Sequence, residues 1–116
     1  MRIRRKPWAR PELEACDFCV KEPGELKGRW KHSFAKEQPL YVELGCGKGG
    51  FIAQVSSANQ DINYVAIDIK SEMAAYARRK TVAEFEKAGI DKIENVKLLV
   101  HNIENISEVF DENDEV

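Results

Sequence analysis

A short strand that runs straight into a row of glycines narrows the folds open to this chain more than any other feature. Leu40-Tyr41-Val42-Glu43-Leu44 is apolar and β-prone, and Gly45-Cys46-Gly47-Lys48-Gly49-Gly50 comes next without a break. Phe51, Ile52, Val55 and Ala58 then recur at helical spacing, which predicts a helix from Gly49 to Ala58. Glycines at a strand-to-helix turn adopt backbone conformations that side chains forbid, and they let a ligand come close to the main chain. The helix beyond the turn offers unpaired N–H groups and the positive end of its dipole.

The alternation continues. Asn63 to Asp68 reads as a second strand, and Ser71, Met73, Ala74, Ala77, Thr81, Phe85 and Ala88 predict an amphipathic helix, capped by Ser71 and ended by Gly89. Asn95 to Val100 is a third strand, Ile103 to Phe110 holds a short helix, and Asp111 to Glu115 is an acidic loop. Strands alternating with helices imply an α/β fold of βαβ units: three parallel strands in a partial doubly wound sheet. The expected spatial order is third, second, first, which leaves Leu40–Leu44 as an apolar edge.

At 116 residues, with 43% hydrophobic and 33% charged positions, the chain has the composition of one ordinary globular domain. No apolar run approaches the ~20 residues of a membrane span, and no secretory signal is evident, so the expected location is cytoplasmic. The division expected is a basic leader over 1–36 and a cofactor-binding domain over 37–116.

Charge is unevenly spread. Residues 1–36 hold ten Lys/Arg against five Asp/Glu, whereas 37–116 hold eight against fifteen, giving the overall −2. A basic arm on an acidic body is the pattern of a polyanion binder such as a nucleic-acid protein, and equally of a solvated terminus. Pro7, Pro11, Pro23 and Gly24 make extended structure and turns the expectation for the leader, with a weak helix signal between Glu25 and Phe34. Trp30 and Phe34 read as anchors onto the domain, although aromatics among cations also stack on bases. Cys16-Asp17-Phe18-Cys19 is a CxxC, which raises a zinc or a redox reading. It lacks the second ligand pair of a structural zinc site, and it precedes any clear strand, whereas a thioredoxin-type site lies at a strand-to-helix turn. Reduced thiols are the expectation there, with no metal.

Two carboxylates carry the chemistry. Asp68 closes the second strand 23 positions after Gly45, where an acid can accept hydrogen bonds from both ribose hydroxyls of a nucleotide. Gly45-x-Gly47-x-x-Gly50 also satisfies the dinucleotide fingerprint, which keeps an NAD-type cofactor in view. Glu43 weighs against it, because a pyrophosphate gains nothing from a neighbouring anion. S-adenosylmethionine, with an ammonium and a sulfonium, carries positive charge that a carboxylate favours. Glu43 could also serve by capping loop amides, and both roles can hold together.

With these residues in place, the chain resembles the bacterial tRNA (guanine-N7-)-methyltransferases. The likeness lies in Met1-Arg2-Ile3-Arg4-Arg5-Lys6-Pro7-Trp8-Ala9-Arg10-Pro11, in Lys27-Gly28-Arg29-Trp30-Lys31, and in the Glu43-to-Phe51 loop. It continues through Asp61 to Asp68 and Asn95 to Leu99. The resemblance implies the N-terminal half of a Rossmann-like methyltransferase fold that uses S-adenosylmethionine to methylate guanine N7 in tRNA. It places cofactor contacts on Glu43, Gly45, Gly47, Asp68 and Asn102. Asp68 stands where the family often has Glu, and Asn102 where it often has Asp; an amide oxygen still accepts a hydrogen bond, with less charge assistance. The family's fourth strand and its Pro-Trp-Pro segment lie beyond Val116, so no catalytic residue is assigned. The expectation for these 116 residues alone is weak cofactor binding without methyl transfer. A non-catalytic RNA- or cofactor-binding module is the alternative.

Overall fold

The computed structural model describes residues 7–45, 50–110 and 114. Helix α1 (Ala9–Glu14) and a two-residue strand β1 (Cys19–Val20) come first, followed by 3-10 turns at Pro23–Leu26 and Trp30–His32. Then come β2 (Leu40–Leu44), α2 (Gly50–Ala58), β3 (Asn63–Asp68), α3 (Ser71–Lys87), β4 (Val96–Val100) and a 3-10 segment at Ile103–Glu108. The strands form one parallel sheet in the order β1-β4-β3-β2. The expected third-second-first order is present, with β1 added outside the third strand as a fourth. The leader is therefore more regular than its prolines indicated. Pro11 falls in the first turn of α1, where no backbone N–H is required of it.

Parallel neighbours need crossovers, which α2 and α3 supply. Alternate residues of β3 and β4 face opposite ways, so the core has two halves. Tyr64, Ala66, Val96 and Leu98 pack with Ile52 of α2 and with Ala77 and Phe85 of α3. Val65, Ile67 and Leu99 pack on the other face with Leu40, Val109 and the leader residues Trp30 and Phe34. Every residue of β3 is buried, as a strand covered on both faces requires.

Trp30 and Phe34 are anchors, as expected. Trp30 is fully buried, donates from Nε1 to the Val109 carbonyl at 2.7 Å, and stacks on Phe110. Trp8 is held as well: its ring meets Tyr76 edge-on, and the Arg79 guanidinium lies 3.7 Å over it. Glu12 of α1 joins Arg78 and Arg79 of α3.

One local expectation is corrected. Ser71 does not cap α3. The cap position is the extended Lys70, whose N–H is taken by Asp68 Oδ1 at 3.0 Å, and Ser71 is already helical. The short helix expected within 103–110 is present as the 3-10 segment Ile103–Glu108, kinked at Asn105. Gly89 ends α3 with φ +74°, in line with its placement in the sequence.

Candidate cofactor site

The residues singled out in the sequence converge on one rim. Register alignment sets Leu44 beside Ile67 and Asp68 beside Val100, so β2, β3 and β4 end together. Glu43 lies one residue before the end of β2, Asp68 ends β3, and Asn102 lies two residues past β4. Backbone bonds tie the rim: Gly45 N–H donates to the Ile67 carbonyl at 2.7 Å, and His101 N–H to the Asp68 carbonyl at 2.9 Å. The carboxyl ends of strands in an open parallel sheet are where such folds bind ligands.

Gly45 has φ +77°, and a Cβ built on it would meet no atom of the described structure within 4 Å. The backbone conformation there favours glycine whatever the space around it. Gly47 lies outside the described residues.

Glu43 is the most telling side chain. Its Oε2 is buried and, among the described residues, has no hydrogen-bond partner. Burial pushes its carboxyl above the ordinary carboxylate range. A carboxylate withdrawn from water in this way is a ready acceptor for a cationic or N–H-bearing ligand. The loop that Glu43 could instead cap, residues 46–49, lies outside the described residues.

Asp68 and Asn102 are already engaged. Asp68 is largely buried, and its Oδ1 receives the Lys70 N–H. Asn102 Oδ1 accepts the Glu104 N–H at 3.0 Å, capping the 3-10 segment. A carbonyl oxygen has two lone pairs, so this cap leaves Asn102 able to accept from a ligand.

The sequence did not reveal a cavity of about 400 Å³ next to the rim. Its walls include Arg10 and Leu13 from α1, Lys21 after β1, Ile69, Ser71 and Val100. Ile69 and Val100 sit at strand ends, which was the available signal. Arg10 and Lys21 come from a leader whose path could not be read.

The single parallel sheet with α2 and α3 as its crossovers is that of a Rossmann-like α/β fold. Within that class, residues 37–114 match a family described as "Putative methyltransferase", and the chain belongs to that family. It is 55% identical over 111 residues to a tRNA (guanine-N(7)-)-methyltransferase of Ruminiclostridium cellulolyticum, covering 96% of this chain and 47% of that protein. A second protein of that name, from Clostridium beijerinckii, is 53% identical over 116 residues, covering 100% of this chain and 52% of its own length. The chain thus spans about half the length of the curated relatives it matches. Among the described residues, no helix is long and apolar enough to cross a membrane.

Proposed function

We propose that this chain supplies the methyl-donor half of a cytoplasmic tRNA guanine-N7 methyltransferase, with S-adenosylmethionine as the donor. The observation that carries the reading is the buried Glu43 Oε2, without a partner among the described residues, two positions before Gly45 at φ +77°. A carboxylate there suits the donor's ammonium and sulfonium and opposes a pyrophosphate. Asp68 would hold the ribose hydroxyls, Asn102 would accept from the adenine amino group, and Gly45 with Gly47 would let the cofactor lie against the backbone. When bound, the donor supplies an electrophilic methyl group, and guanine N7 has a free lone pair to receive it.

This half of the reaction requires orientation more than acid–base help. Fixing a methyl group in line with an incoming nitrogen can account for ~7–11 kcal/mol of barrier lowering. The rigid ends of β2, β3 and β4 are the frame that would do this. The basic leader, net +5 over residues 1–36, would contribute salt-sensitive contacts to tRNA phosphates. Folded leader aromatics leave its cations, rather than base stacking, as the means of contact.

Calorimetry with S-adenosylhomocysteine and NAD in parallel tests the reading. Heat is expected with the thioether alone, and Glu43→Gln or Asp68→Asn should each weaken binding at least tenfold, about 1.4 kcal/mol. Heat with NAD and none with S-adenosylhomocysteine overturns it. Robust tRNA methylation by the isolated 116 residues would show that the transfer machinery is already complete in them.

A further inference from the structure

Cys16 and Cys19 stand where α1 has ended and β1 begins, and the methyl-donor reading uses neither. Their Sγ atoms are 2.7 Å apart, with Cys19 donating to Cys16. Both are free thiols with 6% and 8% of their surface exposed. The sequence placed this CxxC ahead of any strand, but the structure sets Cys19 inside β1, in register with Leu98.

The setting is arranged for chemistry as well as for packing. The turn through Asp17 and Phe18 brings the two sulfurs face to face, and Lys21 Nζ fixes that turn by donating to the carbonyls of Cys16 at 2.9 Å and Cys19 at 3.3 Å. The Cys19 S–H bond holds the Cys16 thiol down to about 7 against the opposing effect of burial, and the Arg78 charge adds to it. Cys19 is pushed the other way by the same bond and by burial. One sulfur is thus a nucleophile near neutral pH while its neighbour keeps its proton. Cys19, though not Cys16, lines the 400 Å³ cavity, whose charged walls are Arg10, Glu14 and Lys21.

We propose that Cys16 and Cys19 form a reversible dithiol–disulfide couple, oxidised by low-molecular-weight disulfides of the glutathione type. The Cys16 thiolate attacks one sulfur of the reagent, breaking its S–S bond, forming a mixed disulfide and releasing one small thiolate. Cys19 passes its proton to that thiolate, attacks Cys16 Sγ and expels the second small thiolate, which takes up a proton from water. The protein dithiol loses two electrons and the reagent gains them. The new bond clips the end of α1 to β1, the strand beside β4, whose far end leads to Asn102.

The test is independent of methyl-donor binding. The 116-residue chain is equilibrated in glutathione buffers of increasing oxidised share, acid-quenched and alkylated, and its peptides are weighed. The expected result is a two-hydrogen loss confined to the Cys16–Cys19 peptide, in one transition that tracks the squared concentration of reduced glutathione divided by the concentration of the oxidised form. Cys19→Ser should trap the glutathione adduct at Cys16. In the unmodified chain, alkylation of Cys16 should be half-maximal near pH 7, at least one unit below its value in Cys19→Ala. Full alkylation of both thiols across the series overturns the proposal. So does a transition no different in the urea-unfolded chain.

Discussion

A carboxylate with one buried oxygen lacking a partner destabilises the fold that contains it, and among the described residues Glu43 is in that position. Its raised pKa means that the folded chain holds the proton more tightly than the unfolded one. Stability therefore falls as pH climbs from the ordinary carboxylate value through the raised one, and the full penalty applies above it. Glu43→Gln should gain roughly 1 kcal/mol in urea unfolding at pH 8 and almost nothing at pH 4, while losing donor affinity. Equal stability at both pH values would place Glu43 in a solvated setting. Glu12 runs the other way. The Arg79 hydrogen bond holds its carboxyl down to about 2, burial opposes this, and Arg78 adds to the lowering. That stability is present above about pH 4.5 and disappears as pH falls toward 2. Arg79 is half exposed, so solvent screening reduces the effect to about 1 kcal/mol. Glu12→Gln should cost that much at pH 7 and nothing at pH 2, again by urea unfolding.

Among the elements, β2, α2, β3, α3 and β4 were legible because each is long enough to display its period. Glu43, Gly45, Asp68 and Asn102 could be placed for the same reason, since a strand end locates the residues just beyond it. β1 was not legible: two residues show no period, and the partner that makes them a strand is β4, nearly 80 positions away. α1 was masked by Pro11, and the cap of α3 was misassigned because Asp68, two residues upstream, reaches Lys70 first. β2 has a strand on one side only among the described residues, and Tyr41, Leu44 and Phe51 are exposed beside it. Such an edge pairs with other chains. Sedimentation should show concentration-dependent association that Leu44→Lys suppresses, with folding stability changed by no more than about 0.5 kcal/mol. Association unaffected by Leu44→Lys would assign it to another surface.

At the scale of the molecule, the leader forms a layer of the fold. Trp30 fills the sheet face opposite α2 and α3, and Asp114 takes the N–H groups of Gly28 at 2.7 Å and Trp30 at 3.1 Å. These bonds join positions 86 and 84 residues apart, whereas the βαβ units close much shorter loops. Bringing distant segments together carries a larger entropy loss, so contacts of this span form late. The prediction is that the β2–β3–β4 sheet assembles first and the leader docks onto a face already built. Trp30→Phe removes the Val109 bond while keeping most of the ring. In stopped-flow mixing it should speed unfolding about fivefold and change the refolding rate less than twofold. The tryptophan at the centre of one core face would thus act as a brake on leaving the native state and have little part in reaching it.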